Sequence, residues 1–274
     1  MPIQYFTVIL VLACTIAVPC EAVDVEHLQG FGDTRYHLLE SREVKHTYHV
    51  FVRLPESYEE SGDRAYPTVY LLDGGSTFPM LGGYYRYLSL GEDIPDLIVV
   101  GISYGTDDWK NGNNRSHDYT APSSEREYWG GAADLQKMLR TELLPLIEKT
   151  YRSDPKHRVI FGQSLGGQFV IFTALTEPAL FWGHIASNPA LHRNLPYFLA
   201  ASKQTANSDR PKLFVSSGSN DDPRFREPAM KWMSHWSTVK ETPWDLEMRT
   251  LEGHNHFSAA TAAFRQGTIW LFSN

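Results

Sequence analysis

The chain has 274 residues, of which 42% are hydrophobic and 13% aromatic, so it is long enough to bury one sizeable core. Its formal net charge is -7, because 32 Asp and Glu residues outnumber 25 Lys and Arg residues. Nucleic acid and anionic membranes bind clustered positive charge, so this balance argues against either partner. The expectation is a single globular domain.

The first 22 residues have the pattern of a secretory signal peptide. An apolar run covers 6–18, although no Lys or Arg precedes it, and small residues at Cys20 and Ala22 favour cleavage after Ala22. The run is shorter than the roughly 20 apolar residues of a transmembrane helix. Both cysteines lie in this segment, so the mature chain would have no disulfide and no thiol ligand for a metal. We expect a signal peptide at 1–22, one catalytic domain at 23–274, and secretion or periplasmic location without stable membrane association.

Apolar segments bounded by turn residues predict seven strands in the rest of the chain. The segments are 46–54, 68–75, 96–105, 158–164, 183–189, 212–221 and 246–254. The first alternates apolar and polar residues, which is typical of a half-exposed antiparallel strand. Several later ones are continuous runs of Val, Ile and Leu, which is typical of strands covered on both faces.

A helix is predicted over 130–151, where apolar residues recur every three or four positions. These residues are Leu135, Met138, Leu139, Leu143, Leu146 and Ile147. Pro145 lies within the pattern and is expected to kink or divide the helix. Strands that alternate with helices predict an α/β fold with a mostly parallel central sheet and helices on both faces.

The sequence VIFGQSLGGQFV at 159–170 places Ser164 between an apolar run and a predicted helix. G-x-S-x-G is common by chance, but a serine at a strand-to-helix turn matches the nucleophile elbow of an α/β-hydrolase fold. Such a turn strains the backbone and brings strand and helix together, which favours Gly162, Gly166 and Gly167. It would present the Ser164 hydroxyl above the sheet and aim the Leu165 amide at a developing oxyanion.

A nucleophilic serine needs a histidine base and an acid that orients the base, and on this fold the acid precedes the histidine in the chain. The histidines after Ser164 are His184, His192, His235, His254 and His256. The last two follow the final predicted strand, where the base is expected. A metal site on this pair is disfavoured, because no third ligand cluster accompanies it.

The acid is expected in KLFVSSGSNDD at 212–222, where a predicted strand ends in a polar turn. A carboxylate at the end of this strand can reach across the sheet edge to the histidine. Asp221 and Asp222 are both candidates, and one of them is expected to cap the following helix instead.

Several segments together resemble the esterase branch of the α/β-hydrolases, which includes the esterase D group and the trilactone siderophore esterases. YPTVYLLDGGSTF resembles the family's early strand and oxyanion loop, and RSHDYTAP its R-x-x-D-x-T-x-P segment. ASNPAL resembles the S-P-S-L segment, and LEGHNHFS the G-E-N-H motif. The resemblance extends from about residue 46 to the end of the chain. SNPALH lacks the aromatic pair that often follows S-P-S-L, so the shape of the pocket is left open.

The resemblance implies a role for each member of a catalytic triad. Ser164 is the nucleophile, and His256 is the base because it takes the histidine position of G-E-N-H, whereas His254 takes the glutamate position. The family acid commonly lies three residues after a strand-end glycine, which gives Asp221 after Gly218.

The implied chemistry is two-step acyl transfer through an acyl-enzyme, with the amides of Leu165 and Gly75 holding the oxyanion. Neither a cofactor nor a metal is implied. The predicted function is a serine carboxylic ester hydrolase acting on a small-molecule ester. A feruloyl or acetyl esterase, a thioester hydrolase and an acyltransferase are alternatives on the same fold. A secreted non-catalytic binding protein is disfavoured, because Ser, Asp and His are all present in the expected order.

Aromatic residues between the oxyanion loop and the nucleophile favour aryl esters, including siderophore-type esters. They are Phe78, Tyr84, Tyr85, Tyr87, Trp109, Tyr119, Tyr128 and Trp129. At least half of them are expected to pack elsewhere, but three or four would suffice to line a cleft for aromatic rings. Arg86, Lys110 and Arg115 are the cations expected beside such rings for anionic groups.

Overall fold

The structure is a computed structural model that describes residues 28–124, 128–200 and 210–273. The predicted signal peptide at 1–22 lies outside these ranges, so cleavage and secretion stay predictions. No helix within the described ranges is both long enough and apolar enough to cross a membrane.

One sheet of eight strands forms the centre of the molecule. The strands are β1 Thr34–Glu40, β2 Thr47–Arg53, β3 Tyr66–Leu71, β4 Ile98–Ser103, β5 Ser153–Gln163, β6 Gly183–Ser187, β7 Lys212–Gly218 and β8 Asp245–Leu251. Their order is β1-β2-β4-β3-β5-β6-β7-β8. β2 pairs antiparallel with β1 and β4, and every other pair is parallel. The predicted mostly parallel sheet is confirmed.

The seven predicted strands are all present, but each ends before the last residue of its predicted segment, and β3 ends the furthest before it. The apolar run at 68–75 predicts a strand that continues to Gly75, whereas β3 ends at Leu71 and a helix begins at Gly74. Gly74 and Gly75 therefore belong to the start of a helix at the sheet edge, which is the position that an oxyanion loop needs.

Sequence patterns missed β1, the edge strand. Its sequence TRYHLLE is mostly exposed or half-buried, so no clean apolar period distinguishes it from a loop. It pairs with β2 along its whole length, from Thr34 opposite Arg53 to Glu40 opposite Thr47. Only this long-range pairing defines the strand.

Helices cover both faces of the sheet. They are α1 Gly74–Leu90, α2 Arg115–Asp118, α3 Ala132–Met138, α4 Leu144–Thr150, α5 Leu165–Thr176, α6 Leu195–Leu199, α7 Pro223–Ser237 and α8 Ala259–Phe272. α1 and α8 pack on one face with residues such as Val69 and Phe161, and α3 to α7 pack on the other with residues such as Tyr70 and Ile160. The alternation along each strand separates the two cores.

Pro145 divides the helix predicted over 130–151, as expected. α3 is followed by a π-helical segment, Leu139–Leu143, and then by α4. Pro145 has no N–H to donate to the carbonyl of Thr141, so regular α-helical hydrogen bonding cannot continue through this point. The π-helical segment ends at Leu143, two residues before the proline.

Candidate active site

Ser164 lies on the sharp turn between β5 and α5. Its φ is 60°, an unusual value for a residue with a side chain, and its amide donates to the Ser187 carbonyl at 3.0 Å. A Cβ on Gly162 would lie 2.3 Å from the carbonyl carbon of Gly166, and one on Gly167 would lie 2.8 Å from the Ser187 carbonyl oxygen. This close approach explains glycine at positions 162 and 167. A Cβ on Gly166 would lie 3.5 Å from its nearest neighbouring atom, which is an ordinary contact distance, so close packing does not explain glycine at position 166.

The structure brings Ser164, His256 and Asp221 together. His256 lies in the loop between β8 and α8, and its Nε2 is 2.9 Å from Ser164 Oγ. Its Nδ1 is 3.1 Å from Asp221 Oδ1 and 3.0 Å from Asp221 Oδ2. Asp221 follows β7, and its side chain is 1% exposed. The three side chains form one hydrogen-bonded chain in which a proton can move from hydroxyl to imidazole.

Asp221 is held by further hydrogen bonds that fix its carboxylate. Asn188 Nδ2 donates to Asp221 Oδ2 at 2.9 Å, and the Asp222 amide donates to Oδ1 at 2.7 Å. Asn188 Oδ1 also accepts from the Gly218 amide at 2.9 Å. The Asp222 side chain instead caps α7, where it accepts from the Arg224 amide at 2.8 Å. Asp222 therefore has the role of a helix cap and Asp221 the contact with the histidine.

Two residues that were not predicted from the sequence, Phe225 and Gln163, contact His256 and its loop. The Phe225 ring, from the first turn of α7, stacks on the imidazole with ring centroids 4.2 Å apart and planes 23° from parallel. Gln163 Nε2 donates to the His256 carbonyl oxygen, which ties the loop of the histidine to the turn of the serine. The position of Gln163 next to Ser164 is the only sequence signal of this contact.

The other candidate histidines lie elsewhere. His184 is fully buried in β6, and burial lowers its pKa to about 4. Burial also lowers the pKa of His192 to about 4, and its ring packs edge-on against Phe225. His254 Nδ1 lies 3.0 Å from the Ser258 carbonyl oxygen, and His235 lies on α7 against Trp236. Within the described ranges, His256 is the histidine that contacts Ser164 Oγ.

The two predicted oxyanion residues lie at helix N-termini near Ser164. Leu165 is the first residue of α5, and Gly75 is the second residue of α1 and exposed in the cavity that Ser164 lines. The amides of Ser76 and Thr77 donate to the Asp73 carbonyl, whereas the Gly75 N–H has no backbone acceptor within the described ranges. Free N–H groups at a helix N-terminus attract negative charge. The oxyanion role itself stays a prediction.

Arg115 holds the turn that precedes Gly75. Its Nε and Nη2 donate to the two carboxylate oxygens of Asp73, each at 2.8 Å. The Asp73 amide donates to the Tyr119 hydroxyl at 3.1 Å, and Asp73 has a φ of 54°. Arg115, one of the cations expected for anionic groups, thus forms a bidentate ion pair with Asp73, which uses two of the five N–H donors of its guanidinium.

The cavity at the site has a volume of about 1160 Å³ and is lined by Ser164, His256, Gly75 and Phe78 among others. Of the eight aromatic residues between the oxyanion loop and the nucleophile, Phe78 alone lines it, so fewer of them reach the cavity than the three or four that the aromatic-cleft hypothesis needs. The other cavity-lining rings are Phe31, Tyr36, Phe51, Tyr104 and Phe257.

The remaining predicted rings and cations have other contacts. The Tyr85 hydroxyl accepts from the Leu97 amide inside the core, whereas Tyr87 and Trp109 are each 70% exposed outside the cavity. Arg86 pairs with Glu56, and Lys110 lies 5.3 Å from the centre of the Trp109 ring. No group of three or more His, Cys, Asp or Glu within the described ranges is arranged to hold a metal ion.

A serine on a positive-φ turn between a central parallel strand and the helix behind it is the nucleophile position of an α/β-hydrolase, and this is the fold of the molecule. The model of the family described as "Putative esterase" matches residues 41–270. The chain belongs to this family and is accordingly a carboxylic ester hydrolase of the α/β-hydrolase superfamily.

Three relatives illustrate the similarity. The chain is 27% identical over 247 residues to ferri-bacillibactin esterase BesA of Bacillus subtilis, covering 82% of this chain and 84% of the relative. It is 24% identical over 215 residues to the siderophore triacetylfusarinine C esterase of Aspergillus fumigatus, covering 73% of each. An IroE-like serine hydrolase from Shewanella oneidensis superposes with a TM-score of 0.76 at 24% identity, covering 88% of this chain and 80% of that one.

Proposed function

We propose that the chain hydrolyses siderophore-type or other aryl esters by a Ser164, His256 and Asp221 triad through a covalent acyl-enzyme. The observation that carries the mechanism is the continuous contact from Ser164 Oγ to His256 Nε2, at 2.9 Å, and from His256 Nδ1 to Asp221, at 3.0 Å. Two relatives that cover most of the chain, named as a ferri-bacillibactin esterase and a siderophore triacetylfusarinine C esterase, support the substrate class.

The first half of the reaction forms the acyl-enzyme. Ser164 Oγ attacks the ester carbonyl carbon while His256 Nε2 takes the hydroxyl proton. Asp221 accepts the Nδ1–H of His256, so it fixes the tautomer and stabilises the imidazolium. The carbonyl oxygen becomes an oxyanion, to which the amides of Leu165 and Gly75 donate. When the tetrahedral intermediate collapses, His256 returns the proton to the departing alcohol oxygen.

The second half regenerates the enzyme. His256 takes a proton from a water molecule as its oxygen attacks the acyl carbon, and the same two amides receive the second oxyanion. Collapse breaks the bond to Ser164 Oγ, which recovers its proton from His256, and the carboxylic acid leaves. Every proton transfer in this scheme uses His256, so no cofactor is required.

Labelling with a fluorophosphonate tests the proposed nucleophile. The folded protein is expected to react at Ser164, as determined by mass spectrometry of the labelled peptide, because the imidazole contact activates this hydroxyl. Heat-denatured protein is the matched control and is expected to remain unlabelled, since unfolding separates Ser164 from His256. Absence of label on folded, active protein would contradict the proposal, as would label on another serine.

Replacing each of the two adjacent aspartates by asparagine distinguishes the acid of the triad from the residue that caps the helix. Asp221→Asn is expected to lower kcat by about 10⁴-fold, because an amide can hold the imidazole in the wrong tautomer. Asp222→Asn is expected to change kcat little, because asparagine caps a helix as well as aspartate does. Steady-state hydrolysis of a p-nitrophenyl ester by both variants checks the prediction, and the assignment is wrong if the two effects are exchanged.

A further inference from the structure

The cavity extends far beyond the triad. Its lining includes Ser164 and His256 at one end and the β1 residues Thr34, Arg35 and Tyr36 at the other. In the sheet order β1-β2-β4-β3-β5, four strand spacings separate β1 from β5, which is roughly 19 Å at the usual spacing of neighbouring strands. An ester carbonyl at Ser164 therefore leaves most of the cavity for the rest of the substrate.

The far part of the cavity, which we name the β1 arm, is defined by the rings of Tyr36, Phe51 and Phe78, and Met80 of α1 also lines the cavity. The Phe51 ring centroid lies 5.7 Å from that of Tyr36 and 5.6 Å from that of Phe78, so three rings form a row across β1, β2 and α1. Tyr36 is 52% exposed and Met80 is 41% exposed. Large apolar side chains that remain open to solvent in a concave site are typical of ligand-binding surfaces.

Near the β1 arm, the positively charged side chains form ion pairs, and the remaining charged side chain is a carboxylate. Arg35 forms an ion pair with Asp33 at 2.9 Å, and Arg115 is held by Asp73. Asp107, which also lines the cavity, is exposed and adds negative charge. An anionic substrate group would therefore find no unpaired cation among the described residues that line the cavity.

The hydroxyl groups of the β1 residues Tyr36 and Thr34 also have hydrogen-bond partners. The Tyr36 hydroxyl lies 2.8 Å from His49 Nδ1, and the Thr34 hydroxyl donates to the Phe31 carbonyl. What the arm offers to a ligand is flat apolar surface, which suits an aromatic ring without charge.

We propose that the β1 arm is a specificity subsite that binds an uncharged aromatic ring of the ester, on either its acyl or its alcohol side. The inference rests on the proposed esterase function and adds the location and charge of the ring that the enzyme selects. Burial of one ring against Tyr36, Phe51 and Met80 makes the wild-type enzyme favour ring-bearing esters by at least about tenfold in kcat/KM.

Three esters and one filled-arm variant test the subsite. Vinyl acetate carries no ring, vinyl benzoate carries a ring on the acyl side, and phenyl acetate carries one on the alcohol side. Met80→Trp fills the arm with an indole and is expected to lower kcat/KM for the preferred ring ester at least about tenfold relative to vinyl acetate. Tyr36→Ala, which removes one wall on the exposed edge strand, is expected to shift this ratio in the same direction.

Leu90→Trp is the matched control for Met80→Trp. Leu90 is the last residue of α1, is 58% exposed and lies outside the cavity, so the ratio between the esters is expected to stay at the wild-type value. Vinyl 4-carboxybenzoate tests the charge, and the wild-type enzyme is expected to hydrolyse it at least about tenfold less efficiently than vinyl benzoate.

The outcomes distinguish the subsite from the esterase function. Hydrolysis of vinyl acetate with no preference for ring esters, or with a ratio unchanged by Met80→Trp, would overturn the subsite and leave the esterase standing. Preference for the carboxylated ring would overturn its uncharged character. Failure of the wild-type enzyme to hydrolyse any of these esters would overturn the proposed function and the subsite together.

Discussion

Replacing Ser164 by alanine is expected to lower kcat by about 10⁴-fold or more, because the variant has no nucleophile for the acyl-enzyme. The fold should survive, because the substitution removes only the hydroxyl that contacts His256. The positive φ of 60° at this position is equally unfavourable for serine and for alanine. Hydrolysis of a p-nitrophenyl ester gives kcat, and circular dichroism checks the fold. Substantial hydrolysis by folded Ser164→Ala would contradict the assignment.

Ser164→Gly provides a second variant at the same position. It removes the same nucleophile, so the loss of kcat should match that of Ser164→Ala. Glycine adopts a φ of 60° without a Cβ clash, so this variant is expected to unfold at a higher temperature than Ser164→Ala. The comparison separates the backbone strain of the turn from its chemistry, and equal melting temperatures would show that the turn stores no such strain.

The turn at Ser164 was predictable because its signals are local. Gly162 and Gly167 stand where strand and helix approach closely, and the apolar run before them matches a buried strand. The order of acid and histidine along the chain then restricted the other two side chains to the loops after β7 and β8. The end of the predicted strand left Asp221 and Asp222 both open, and only the family resemblance favoured Asp221; in the structure their difference depends on the helix cap and on Asn188.

The walls of the cavity were not predictable from the same kind of signal. β1 has a mostly exposed sequence, so neither the strand nor the contribution of Tyr36 could be deduced without the pairing to β2. The aromatic residues near α1 did not predict the lining of the cavity, for a different reason. Phe78 and Tyr85 lie on the buried side of the helix, whereas Tyr87 lies on its exposed side, so a cluster in sequence is spread around the helix in space.

The ion pair of Arg115 could not be predicted from its position in the sequence. In the sequence it stands among aromatic residues and is a natural partner for an anionic substrate. In the structure its bidentate pair with Asp73 fixes the backbone just before Gly74 and Gly75. The charge of Arg115 is therefore balanced by Asp73, and the pair fixes the turn that precedes the predicted oxyanion residue Gly75.

The two histidines of LEGHNHFS offer a matched pair of substitutions. His256→Ala is expected to lower kcat by about 10⁴-fold or more, since loss of the base is as damaging as loss of the nucleophile. His254→Ala is expected to keep most activity, because its Nδ1 lies beside the Ser258 carbonyl and its backbone carbonyl, which accepts from the Asn220 amide, is retained.

The same p-nitrophenyl ester assay and fluorophosphonate labelling rate should be measured for both histidine variants. His256→Ala should also react slowly with the fluorophosphonate, because Ser164 Oγ loses the imidazole 2.9 Å away, whereas His254→Ala should label at the wild-type rate. Melting temperatures close to that of the wild type would show that neither variant is unfolded. A folded His256→Ala protein that keeps substantial hydrolysis, or a larger loss in His254→Ala, would mean that His256 is not the base.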